Sequence, residues 1–210
     1  MTLSAELATM SAKNNIILSS KQVEDLNCYY EMLKARDYIR DADITIRTII
    51  DCLSCYDPLV FPIGGKVIDI ASGAGFPGIP LKILRPDIKL CMLDASDSRL
   101  SFRQEVIDQL KLSEVTTIHC RVEDAATMPE HQGQYQVALS RGLSFHLSKL
   151  VESCFPLVKP GGYYIAFEFE RTKGEVPEAA ATIAAMGGEL TKTVAREIEK
   201  RVFVYVKKVR

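Results

Sequence analysis

Apolar side chains recur at intervals of three and four through residues 3–57, with Leu26, Tyr29, Tyr30 and Leu33 on one stripe and Ile46, Ile49, Ile50 and Leu53 on another. That is the period of an α-helix, so the segment is predicted as amphipathic helices, each burying one face. Asp57-Pro58 and then Gly64-Gly65 interrupt the pattern. Residues 1–63 are therefore expected to form a helical extension packed on the remainder.

From Lys66 onward the pattern changes. Short β-branched and apolar runs at Val67 to Ile70, Lys89 to Asp94, Thr116 to Cys120, Gln136 to Ser140 and Tyr163 to Phe167 alternate with helical stretches. The helices are placed at Pro77 to Leu84, Asp97 to Leu110, Phe145 to Cys154 and Pro177 to Met186, and Lys159-Pro160-Gly161-Gly162 is placed as the turn before the fifth strand. Alternation of this kind predicts a parallel sheet with crossover helices. Two last runs, Glu189 to Glu197 and Val202 to Val206, stand too close together for a crossover and must pair antiparallel. The expected architecture is an α/β, doubly wound, mostly parallel, seven-stranded Rossmann-like sheet over residues 64–210, ending in an antiparallel hairpin.

Composition narrows the function classes. With 210 residues, 47% of them hydrophobic, the chain can bury one substantial core. Lys and Arg number 26 against 27 Asp and Glu, so the net charge of −1 gives no general attraction for a phosphate backbone. Nucleic-acid binding would rest on a local patch, with Arg36, Arg40, Arg47, Arg99, Arg103, Arg171 and Lys173 as its candidates. No apolar run is long enough to span a bilayer, and the N-terminus has no leader pattern. A soluble, cytoplasmic monomer is expected. Six scattered cysteines read as reduced, packed thiols. Cys52 and Cys55 form a C-x-x-C with no second Cys or His pair at zinc spacing, so no metal is expected. His119, His131 and His146 are isolated from one another and read as strand, loop or helix residues.

The candidate chemistry sits where the first strand ends. Val67-Ile68-Asp69-Ile70 runs into Ala71-Ser72-Gly73-Ala74-Gly75-Phe76-Pro77-Gly78, a hydrophobic strand delivering the chain to a glycine-rich turn that opens a helix. Gly73, Gly75 and Gly78 satisfy G-x-G-x-x-G, a pattern shared by nicotinamide dinucleotide and S-adenosylmethionine sites. Asp69, at the strand's end, would repel a pyrophosphate and attract an α-ammonium. Asp94 closes the second strand at the distance where an acid accepts from ribose hydroxyls of either cofactor. After the third strand, Arg121-Val122-Glu123-Asp124 sets an apolar residue and an acid, Glu123 or Asp124, at the strand's carboxyl end, suited to flank an adenine and accept its exocyclic amine. Arg141 closes the fourth strand at the ligand-facing edge and is the candidate for holding a base or phosphate.

These residues resemble one family, the bacterial 16S rRNA guanine-N7 methyltransferases once named glucose-inhibited division protein B. The similarity runs from about Tyr29 to Ala166. It rests on Asp69 to Pro80 with Gly-Phe-Pro-Gly-Ile-Pro intact, and on Arg85-Pro86 and Leu93-Asp94. It continues through Arg99, Phe102 to Gln104, Val106, Arg121 to Glu123, Ser140-Arg141 and Leu157 to Gly162. The resemblance implies a class I methyltransferase sheet and transfer of a methyl group from S-adenosylmethionine to N7 of a guanine in 16S rRNA or the small ribosomal subunit. Carried over by position, Ala71, Gly73, Gly75, Phe76, Val122 and Glu123 would line the cofactor, Asp94 would hold its ribose, and Arg141 would stand where cofactor meets substrate.

The chain also departs from the family. Ala71 replaces a usual glycine, a modest change if its φ is negative. Thr48 occupies the place of a histidine, and Asp51-Cys52-Leu53 replaces Asp-Ser-Leu. Glu168-Phe169-Glu170-Arg171 follows the fifth strand where Lys-Gly is usual. Because the departures other than Ala71 fall on the substrate side, a methyltransferase acting on a small molecule or a protein stands as the alternative. An NAD-binding enzyme comes behind it.

Overall fold

The computed structural model describes residues 2–39, 42–143, 145–172 and 174–210, and at 42–44 and 171 the backbone alone. Three helices come first: α1 (Leu3–Lys13), α2 (Ser20–Ala35) and α3 (Ala42–Leu53). Helix α2 starts at a capping box in which the Ser19 side chain accepts from Gln22 and the Gln22 side chain accepts from Ser19. Gln22 Nε2 also donates to the carbonyls of Ile83 and Leu84, at 3.2 and 2.9 Å. Carbonyls orphaned at the end of one helix are thus satisfied by the start of another.

The rest alternates strand and helix: β1 (Lys66–Ile70), α4 (Gly78–Leu84), β2 (Lys89–Asp94), α5 (Leu100–Gln109), β3 (Val115–His119), α6 (Val122–Ala125), β4 (Tyr135–Arg141), α7 (Leu147–Cys154) and β5 (Val158–Phe169). Then come α8 (Glu175–Glu178), α9 (Ala180–Ala185), β6 (Gly188–Arg196) and β7 (Arg201–Lys208). They form a seven-stranded sheet in the order β3-β2-β1-β4-β5-β7-β6. Strands β1 to β5 pair in parallel, and β7 is antiparallel to both of its neighbours. The winding reverses between β1 and β4, which opens a crevice at the carboxyl ends of those strands.

Two stretches differ from expectation. Lys159 to Gly162 is not a turn ahead of the fifth strand but an irregularity within it. Val158 pairs with Tyr135, the register then shifts, and Tyr163 pairs with Val137. Proline and glycine are tolerated there because the extra residues leave the ladder. The helix expected over Pro177 to Met186 is two short ones, and Phe145 stands outside α7, whose first residue is Leu147.

Both faces of the sheet are covered. On one face, Leu7, Leu26, Tyr29, Leu33, Ile46, Ile49 and Ile50 of the first three helices share a core with Val67, Met92, Leu139 and Phe167 of the strands. On the other, Leu147, Val151 and Ile183 meet Ile68, Ala138 and Tyr164. Alternation along β1 and β4 divides their side chains between these two cores. Among the described residues no helix is long and apolar enough to cross a membrane, and no group of metal-binding side chains is found. The six cysteines are free. Burial pushes the Cys52 and Cys55 thiols up, which leaves them unreactive packing groups.

Candidate functional site

The glycine-rich turn is held from below and from both sides. Asp69 is fully buried, and its Oδ2 accepts from the Gly78 amide at 2.8 Å. A Cβ at position 78 would lie 2.7 Å from that oxygen, so only glycine lets the helix start close on the acid. Asp94 Oδ2 accepts from Gly73 N at 2.7 Å and its Oδ1 from Ser96 N at 2.9 Å. Each of these carboxylate oxygens keeps further acceptor capacity. Arg103 Nη1 donates to the Gly73 carbonyl at 2.8 Å, and the Tyr29 hydroxyl donates to the Ala74 carbonyl at 2.9 Å. At Gly75 φ is +105°, and a Cβ would fall 2.2 Å from Ile79 Cδ1.

This turn also concentrates unmet polarity. The buried side-chain atoms without a hydrogen-bond partner, among the described residues, are Asp69 Oδ1, Ser72 Oγ, and Arg103 Nε and Nη2. Burial pushes the Asp69 carboxyl up to about 7, against the Gly78 amide and the Arg103 charge, which pull it down. Arg103, named above as a cation for RNA, is fully buried and cannot serve that role; it braces the turn instead. Arg36 is engaged by Glu105, and Arg99 lies 5.4 Å over the Tyr38 ring beside Gly73. Arg40, Lys173 and the Arg171 side chain lie outside the described residues.

Ala71 has φ +59°, so the modest change that a negative φ would have allowed does not apply: an alanine is held in the left-handed region. Its side chain joins Ile70, Leu93, Cys120, Val122 and Glu123 around a cavity of about 150 Å³ at the ends of β1 and β2. Three of the expected residues, Ala71, Val122 and Glu123, are therefore brought together. Asp69, Gly73, Gly75 and Asp94 form the neighbouring turn network.

Phe76 and Arg141 stand apart from that cavity and next to each other. The Arg141 guanidinium lies 5.9 Å over the Phe76 ring, which is 5.4 Å from the Tyr29 ring. Arg141 is not a surface ion-pair partner. Its Nε lies 3.2 Å from Oδ2 of Asp51, a fully buried acid on α3 that also receives Arg201 Nε at 3.1 Å. Burial pushes the Asp51 carboxyl up, and the two guanidinium groups hold it back.

Tyr29, Asp51, Arg103 and Arg201 were not singled out for the site from sequence. A faint signal existed for two of them: Arg103 interrupts the apolar positions Phe102 and Val106, and Arg201 opens the run Val202 to Val206. Charges set in apolar runs are buried only with partners.

Residues 16–204 match the model of the GidB family, described as rRNA small subunit methyltransferase G. The chain is 39% identical over 176 residues to ribosomal RNA small subunit methyltransferase G of Clostridium botulinum strain Loch Maree, covering 82% of this chain and 73% of that one. It is 35% identical over 191 residues to the protein of the same name from Alkaliphilus oremlandii, covering 88% and 80%. Among solved structures it resembles M. jannaschii TYW2 in complex with AdoMet, with a TM-score of 0.60 at 17% identity over 77% of this chain and 76% of that one. A putative S-adenosyl-L-methionine-dependent methyltransferase from Methanococcus maripaludis gives 0.58 at 14% identity, covering 80% and 87%. These two likenesses bear on the fold, while the sequence matches bear on descent: the chain belongs to the GidB family, the family of rRNA small subunit methyltransferase G.

Proposed function

We propose that the protein transfers the methyl group of S-adenosylmethionine to N7 of a guanine in 16S rRNA, and does so in the cytoplasm. As a member of its family it is a methyltransferase. The observation that carries the cofactor assignment is the inventory of unmet polar atoms under the turn. Asp69 Oδ1 is an acceptor suited to an α-ammonium, and Ser72 Oγ with Arg103 Nε and Nη2 are donors suited to an α-carboxylate. A zwitterionic amino-acid tail needs that pairing, and a dinucleotide's pyrophosphate does not.

In this reading Asp94 takes the ribose hydroxyls beside Gly73. Ala71, Val122 and Glu123 wall the adenine cavity, with Glu123 as acceptor for the exocyclic amine. Gly75 lets the turn close over Ile79 at the start of α4, and Phe76 packs against Tyr29 apart from the adenine cavity. S-adenosylmethionine, when bound, supplies a sulfonium methyl open to in-line displacement. Residues 64–210 carry that machinery, and residues 1–63 brace it through Tyr29 and Asp51.

The chain's part is alignment and exclusion of water. Guanine N7 carries a free lone pair and needs no base. The histidines fit that requirement, since His119 contacts the Ala95 carbonyl, His131 contacts Tyr135, and His146 caps α7. Arg141, at the end of β4, positions the substrate.

The test is incubation with methyl-labelled S-adenosylmethionine and small-subunit RNA from cells lacking the enzyme, followed by nucleoside digestion. Label in N7-methylguanosine is the expected result. S-adenosylhomocysteine binding without any label in RNA would overturn the substrate, and absence of both would overturn the whole reading.

A further inference from the structure

A second cavity, of about 270 Å³, opens at the carboxyl ends of β4 and β5. Leu143 and Phe145 line both it and the adenine cavity, so the two are separated by one wall. Phe145 is 59% exposed, a large aromatic ring left at the mouth of both. Phe167 and Phe169 supply further aromatic lining, and Glu168, Thr172 and Glu175 line this cavity but not the first.

Glu168 is the anomalous member. By the two-residue period of β5 it continues the row of Tyr164 and Ala166, which belong to the core under α7. An apolar residue is expected there, yet the position holds a carboxylate only 7% exposed. Its Oε2 lies 3.0 Å from the Thr172 hydroxyl, whose one proton is shared with the nearer Phe169 carbonyl at 2.7 Å. One neutral hydroxyl does not exhaust the acceptor capacity of two carboxylate oxygens. Arg201 and His146 favour the charge from a distance, while Glu175 and burial oppose it. Glu175 itself is committed to the start of α7, where its Oε2 accepts from Leu147 N at 2.9 Å.

We propose that this cavity seats the target purine and that Glu168 reads it as guanine, an inference that rests on the methyl-transfer reading given under Proposed function. Guanine presents two parallel donors, N1–H and the 2-amino group, on one edge, and a carboxylate accepts both at once. Adenine presents an acceptor at N1, which a carboxylate repels. With the donor edge on Glu168, the five-membered ring carrying N7 is turned toward the wall shared with the adenine cavity. Phe145 stands in that wall as the stacking surface for an unstacked base.

The experiment compares small-subunit RNA carrying guanosine at the target position with RNA carrying inosine, which keeps N1–H and N7 and lacks the 2-amino group. The wild-type protein is expected to prefer guanosine in kcat/KM by about ten- to hundredfold. Glu168→Gln should reduce that preference to within about threefold while S-adenosylhomocysteine affinity, measured by calorimetry, stays unchanged. Glu168→Asp, which shortens the reach, is the second variant and should lower the preference likewise. If both variants bind S-adenosylhomocysteine and keep the wild-type preference, the assignment of Glu168 is overturned while the proposed function stands. If the wild-type protein labels neither RNA, both fall together.

Discussion

Arg141 Nε and Asp51 Oδ2 meet at 3.2 Å across 90 positions of sequence, joining the end of β4 to a helix that precedes the whole sheet. The acid is fully buried and shared with Arg201, so the contact fixes the Arg141 guanidinium beside the Phe76 ring, the group proposed above to position the substrate. Buried ion pairs of this kind contribute little net stability but cost a great deal when broken from one side. Their value here is positional.

Replacing Asp51 by alanine leaves two guanidinium groups without their acid. Asp51→Ala is expected to lose about 3–5 kcal/mol of folding stability. Asp51→Asn, which keeps the shape, should lose less. In Asp51→Asn the kcat for methyl transfer should fall at least about tenfold while S-adenosylhomocysteine affinity changes less than about threefold. Denaturant melts and steady-state kinetics read the two effects separately. An unaltered kcat in a folded Asp51→Asn protein would remove the positional role.

With Asp69 as the proposed partner of the cofactor's α-ammonium, cofactor affinity is expected to depend on pH. Its carboxyl is raised from 3.8 to about 7, so the folded protein holds a proton there that the unfolded chain has already lost. Between those values stability falls as pH rises, and Asp69→Asn should be the more stable protein at pH 8 but not at pH 4. An α-ammonium binds the ionised form, so S-adenosylhomocysteine should bind about tenfold more weakly at pH 6 than at pH 8. Calorimetric titration at several pH values checks this. A flat profile in the wild-type protein would detach Asp69 from the ligand.

Ala71 stores strain at the lip of the cavity at the ends of β1 and β2, the proposed adenine site. At φ +59° a glycine has no Cβ penalty. Ala71→Gly is expected to raise stability by about 1 kcal/mol despite the looser unfolded chain. The thermal midpoint of the ligand-free protein reports it; an unchanged or lower midpoint would mean that the alanine side chain's packing outweighs its strain.

The Tyr29 hydroxyl is the helical segment's direct hold on the glycine-rich turn. Tyr29→Phe leaves the Ala74 carbonyl without that donor and should cost about 1–2 kcal/mol. It should also weaken S-adenosylhomocysteine binding by about three- to tenfold, because part of the binding energy then goes into ordering the turn. Affinity equal to wild type would confine Tyr29 to packing.

Much of the fold is legible in the chain because periodicity reports burial. The two-residue pattern finds all seven strands, the fifth with its first five residues left out, and the 3.6-residue pattern marks residues 3–57 as helical without dividing them into α1, α2 and α3; the short link between the last two strands dictates their antiparallel pairing. The pattern misplaces Lys159 to Gly162, since a bulge and a turn use the same proline and glycine. Within the site, the run from Asp69 to Gly78 with Asp94 one strand later is readable, because turn geometry and close approach restrict which residues fit.

What the sequence by itself determined is local: which segments bury one face, where the backbone needs glycine, and which acids close neighbouring strands. Only the tertiary structure decided that Arg103 turns inward beneath the turn, that Asp51 gathers Arg141 and Arg201, and that Glu168 is buried beside a ring of phenylalanines. Such contacts join residues 30 to 150 positions apart. A charge in a sequence gives no sign of whether water or another side chain will solvate it; that depends on which elements the sheet order brings together.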